Sequence, residues 1–157
     1  MTDISKIYDL ISEKKNCLLE FENYTEKMLV CTSEELNILV GNREIAIEKM
    51  KNIDEEIQEI CKNSEKNEIL LKILFGKISA QDIPSEFVEI YDKNMQIRAV
   101  ASRIKETDIQ AMNRIKIEQE KALEKIKSMN QGSEAKAAKF VMSGSAAKVF
   151  PSRLGKI

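Results

Sequence analysis

From Ile4 onward the apolar residues keep a seven-residue rhythm: Ile4, Ile7, Ile11, Leu18, Phe21 and Met28. Spacings of three and four place these side chains on one stripe of a helix, expected over about residues 3–30. Lys14 and Thr25 interrupt the stripe. The rhythm breaks at CTSEE, where Thr32 is followed three residues later by Glu35. That pairing has the form of a capping box, so a second helix is expected to start there. Its stripe runs through Leu36, Leu39, Ala46, Met50, Ile53, Ile57 and Ile60, and Arg43 is the one stripe position that is not apolar. Gly41 inside this helix costs roughly 1 kcal/mol relative to Ala. Either close helix packing or a weak helix start accounts for it. The short link makes the two helices antiparallel neighbours, an αα-hairpin.

KNSEKN (62–67) is polar and ends the second helix. EILLKILFG (68–76) is apolar nearly all round and reads as a buried helical turn or two, with Gly76 as the stop. Asp82-Ile83-Pro84-Ser85-Glu86 then has the look of a helix start, because Pro is tolerated at the first helical position. No Gly or Pro follows until Gly132. A helix of about 45 residues fits that interval, on the order of 65–70 Å long. The expected fold is all-α: an antiparallel hairpin plus a long C-terminal helix, forming an elongated helical bundle or coiled coil. Residues 1–130 read as one helical domain.

The long helix carries three near-copies of one triplet eleven residues apart: Arg103-Ile104-Lys105, Arg114-Ile115-Lys116 and Lys125-Ile126-Lys127. Eleven residues complete almost three helical turns, so such a repeat keeps one line of side chains nearly straight. Ile104, Ile115 and Ile126 stack on that line, with Ala101, Met112 and Leu123 on the adjoining one. A third line holds Ile97 and then the polar Asp108 and Gln119.

Length bears on what covers these lines. Two hairpin helices of about 28 residues span roughly 40–45 Å, and folded back they leave some 10–15 residues of the long helix uncovered. A contiguous exposed apolar surface of that kind marks an interaction site. Ala101, Ile104, Met112, Ile115, Leu123 and Ile126 are therefore the candidate partner-binding residues, at the spacing of helix-in-groove recognition. The competing reading makes the same stripe one wall of an intramolecular bundle. A homodimeric coiled-coil structural or adaptor protein without a client is the alternative function.

Composition sharpens this picture. A chain of 157 residues is about one domain. With 32% charged residues and only 5% aromatic, it favours helix over strand. Net charge is −1, unevenly spread: five basic residues and Glu134 give residues 131–157 a charge of +4, leaving −5 on the rest. This small-residue segment is expected to be a mobile tail. Within it AAKFV is echoed by AAKVF, so Phe140, Val141, Val149 and Phe150 are candidate tail contacts, unless the segment is a frayed end without a role. Residues 103–128 hold seven basic and five acidic side chains, too near neutrality for a nucleic-acid helix.

Candidate chemistry is scarce. The chain has no His, the commonest general base and a leading transition-metal ligand. It has no Gly-rich phosphate loop, GxSxG, HExxH or CxxC. No enzymatic activity, cofactor or metal is expected. Cys17, Cys31 and Cys61 are odd in number and widely spaced, which fits core thiols in a reducing compartment. No basic region followed by an apolar run opens the chain, and no stretch approaches the roughly 18 apolar residues of a membrane span. A cytoplasmic protein without membrane insertion is expected.

The segment SEELNILVGNREIAIEKMKNIDEEI (33–57) combines an acidic start, a Leu-rich stretch, Arg-Glu and an amphipathic run. Together with the early hairpin, the later long helix and the small-residue tail, it resembles flagellar type III export chaperones of the FlgN family, with FliT-like chaperones similar in style. The resemblance covers about residues 3–130. It implies binding rather than catalysis: such chaperones keep hook–filament junction (hook-associated) proteins soluble in the cytoplasm and deliver them to the export apparatus. It also implies that the client's terminal helices dock on an apolar helix surface of the chaperone.

Overall fold

The computed structural model describes residues 2–132, and every regular element among them is helical. Helix α1 spans Asp3–Met28, α2 Ser33–Lys62, α3 Asn67–Leu74 and α4 Val88–Gly132. Two 3₁₀ turns, Ala80–Asp82 and Ser85–Phe87, lead into α4. The all-α class expected from the sequence is the one observed.

Local chemistry sets the boundaries. The Thr2 hydroxyl accepts from the Ser5 N–H at 3.2 Å and starts α1. At α2 the capping box closes from both sides, with Glu35 N–H on the Thr32 hydroxyl at 3.2 Å and Thr32 N–H on the Glu35 carboxylate at 3.3 Å. Helix α3 stops in a Schellman arrangement. Lys77 N–H reaches Lys72 O at 2.8 Å and Gly76 N–H reaches Ile73 O at 3.1 Å, with Gly76 at φ 68°. Asn94 of α4 adds side-chain donation to Ile73 O and Leu74 O at 3.1 and 3.3 Å. The expected start of the long helix at Pro84 is displaced. Phe87 N–H bonds back to Pro84 O at 3.0 Å in a 3₁₀ turn that turns the Phe87 ring into the core, and α-geometry begins at Val88. The helix is 45 residues long all the same.

Helix α1 is the centre of the bundle, with α2 antiparallel and α4 parallel to it. Buried side chains form three clusters along the axis. At the base, Ile7 and Ile11 meet Ile53, Ile57, Ile73 and Ile90, with α3 as the cap. In the middle, Phe21 packs with Ala46, Val100 and Ile104. At the hairpin tip, Met28 packs with Leu36, Leu39, Val40, Ala111 and Ile115.

The polar interruptions of the stripes find partners across helices. Arg43 is buried, donates to the Asp108 carboxylate at 2.5 Å and lies over the Phe21 ring, 4.4 Å from its centroid. Thr25 is fully buried and donates its hydroxyl to Phe21 O at 2.8 Å. Lys14 pairs with Asp54 at 2.7 Å. Gly41 has nothing within 4 Å of where a Cβ would sit, so it serves no close packing and leaves only the propensity cost in α2.

Candidate functional site: the free end of helix α4

Two of the three triplets fasten α4 to α1. Arg103 forks the Glu22 carboxylate, Nε to Oε2 at 2.5 Å and Nη2 to Oε1 at 2.7 Å. That hydrogen bonding holds the Glu22 carboxyl below the usual carboxylate range. Eleven residues on, Arg114 donates to Met28 O at 2.9 Å, a carbonyl at the end of α1, and to Cys31 O in the turn that follows. Helix ends leave such carbonyls unpaired at the negative pole of the dipole, where a guanidinium is well placed. Ser33 at the start of α2 donates to Glu118 at 2.8 Å. The hairpin turn is thus pinned beside residues 114–118.

Past Glu118, α4 runs on for about 14 residues, roughly 20 Å, beyond the end of α1, and only the start of α2 faces its first part. The third triplet lies here. Ala122 and Ile126 are half-buried, while Leu123 and Met129 are 45% and 49% exposed. Lys121, Ala122 and Lys125 form one wall of a shallow notch whose other wall is Ser33, Leu36 and Asn37 of α2. On the far side of the tip, Val30 and Ile38 are exposed in an open cleft over Leu39.

The expected docking residues divide at the hairpin tip. Ile104 and Ile115 are 6% and 5% exposed and belong to the middle and tip clusters, so they are walls of the bundle and not a docking surface. The reason is register: up to residue 118 the Ile line faces α1, and the hairpin covers it. Met112 is half-buried against the tip cluster, and Ala101 is exposed but stands apart from the free end. Leu123 and Ile126 lie on the free end together. Met129, three residues beyond Ile126 on the same seam, joins them and was not among the expected residues; the i, i+3 spacing is the signal that finds it. The candidate tail contacts Phe140, Val141, Val149 and Phe150 lie outside the described residues.

A cleft at the base is lined by Ile57, Cys61, Leu74 and Phe75, and its polar rim is the Lys14–Asp54 pair and Asn94, which caps α3. Burial pushes the Cys17 and Cys61 thiols up, which keeps them protonated and poorly nucleophilic. Among the described residues, no group of three or more Cys, Asp or Glu stands close enough to hold a metal ion. Among the same residues, no helix is long and apolar enough to cross a membrane. No family model matches the chain, and no curated protein or solved structure matches it.

Proposed function

We propose that this protein is a helix-binding chaperone or adaptor of the flagellar export kind, acting in the cytoplasm by binding and not by catalysis. Its client docks an amphipathic helix on the free end of α4. One observation carries the reading: the seam that buries Val100, Ile104, Ala111 and Ile115 against the hairpin continues past the tip as the half-buried Ala122 and Ile126 and the exposed Met129, open beyond the notch that Lys121, Ala122 and Lys125 share with α2. A helix face already suited to packing another helix, and left open, is the helix-in-groove arrangement. The resemblance to FlgN-type chaperones supplies the client class, the hook-associated proteins of the hook–filament junction.

Purified hook-associated subunits bound to the full chain test this. Leu123→Asp and Ile126→Asp are expected to weaken capture at least tenfold while helicity and melting stay as in the wild type. Undiminished capture by both variants would refute the docking site.

A further inference from the structure

We propose that the helix received by the free end of α4 is acidic and lies on it as α1 does, placing a carboxylate over Lys125. This rests on the docking reading above and adds the partner's chemistry and orientation to it.

The argument is one of repetition. Each of the first two triplets has two parts: an Ile buried in the seam and an Arg beside it that reaches an oxygen of α1. Ile104 packs with Phe21 while Arg103 holds the Glu22 carboxylate. Ile115 packs with Met28 while Arg114 holds Met28 O and Cys31 O. Lys125-Ile126 repeats the pattern eleven residues later, a spacing that returns both side chains to the same line of the helix. No oxygen of α1 is available there, because α1 ends at Met28 beside Arg114. The third copy therefore presents an apolar knob and a cation in the positions that its two predecessors use to bind a helix. Lys125 is exposed, and a Lys offers a point charge that a single carboxylate satisfies.

Charges around the seam agree. Glu118 is engaged by Ser33 and by Lys121 at 3.8 Å. Lys127 lies on the opposite face beside Glu120 and Glu124, and Lys125 is the cation left at the seam to meet an acidic partner. A second copy of the chain fits less well. The exposed end is about 14 residues of one helix, short of the roughly 20–30 residues a side of a standard protein interface. A partner helix needs about four turns to match the free length.

The probe is a fluorescein-labelled peptide of this chain's own residues 12–28, carrying Cys17→Ser, which contains the acid and apolar face that α1 shows to α4. It is titrated onto the full-length protein by fluorescence anisotropy. Lys125→Glu is expected to weaken binding at least fivefold, and Ile126→Asp to abolish it, with circular dichroism unchanged in both. A peptide also bearing Glu22→Lys should reverse the preference and bind Lys125→Glu more tightly than wild type. Equal affinities across this charge swap would overturn the proposal. So would peptide binding that appears only after residues 133–157 are removed, which makes the tail the occupant. A concentration-dependent dimer in sedimentation, lost in Lys125→Glu, would assign the seam to a second copy and overturn it as well. If Ile126→Asp destroys capture of hook-associated subunits while the charge swap is silent, docking stands and the acidic helix falls.

Discussion

Residues 88–118 and 119–132 of α4 are the same kind of helix with different fates. Both carry the eleven-residue pattern, both are uninterrupted, and both place apolar side chains on one seam. In the first part the seam is core: Ile104 is 6% exposed, and its flanking Arg103 is tied to Glu22. In the second part the seam is surface: Met129 is 49% exposed, and Lys125 borders an open notch. Nothing in the pattern differs enough to cause this. What differs is where a separate hairpin turns back, fixed by the capping box at Thr32 and the carbonyls that Arg114 holds. A repeat that outlasts its cover leaves part of the chain's own packing code on the surface.

The largest contrast is expected from truncating equivalent positions of the two parts. Ile104→Ala removes buried volume between Phe21 and Val100 and should cost about 2–4 kcal/mol in urea unfolding. Ile126→Ala should change stability by less than about 0.5 kcal/mol. A large loss at Ile126 would mean that its seam is covered within the chain.

Next comes the polar layer between the middle and tip clusters. Asp108→Ala strands the buried Arg43 guanidinium and is expected to cost about 2–3 kcal/mol, less than for a fully buried pair because Asp108 is partly exposed. The double variant Arg43→Met with Asp108→Leu should recover most of that loss, since apolar replacements of both partners are often neutral or stabilising.

A smaller comparison sets Arg114→Ala against Lys125→Ala. The first leaves the end of α1 without its hydrogen-bond donor and should cost about 1 kcal/mol by thermal melting. The second should leave the melt unchanged.

The smallest effect concerns acid. The Glu22 carboxyl is held below its ordinary value by Arg103, so its contribution to stability is present at neutral pH and lost as pH falls through the folded-state value. The stability gap between wild type and Glu22→Gln should accordingly be constant near pH 7. It should narrow only below about pH 4.3 and vanish once the carboxyl is protonated. A gap that persists in strong acid would assign it to packing and not to the ion pair.

Much of the fold was legible before any coordinates. Helical stripes marked α1 and α2, Thr32 and Glu35 marked their junction, and Gly76 marked the end of α3. These succeed because they are local: a period of 3.6 residues, a cap three residues long, a positive φ. The polar interruptions at Thr25, Arg43 and Asp108 were equally visible, yet their meaning was not. Arg43 and Asp108 are 65 residues apart, and no local rule joins them. The triplets were legible as a repeat, but Arg103 and Arg114 turned out to be clasps on α1, on partners 81 and 86 residues away. The apolar stripe was legible as a line but not as a boundary, which is why Ile104 and Ile115 moved to the core and Met129 joined the surface.

The sequence by itself determined the elements, their order, the straightness of the Ile line and the fact that α4 is longer than the hairpin. Each of these follows from backbone geometry and the spacing of apolar residues within one segment. Tertiary structure alone decided how far along α4 the hairpin reaches, and with it which copies of the triplet are buried. That depends on contacts between residues distant in the chain, Met28 against Ile115 and Ser33 against Glu118, whose free energy exists only when the two helices lie side by side.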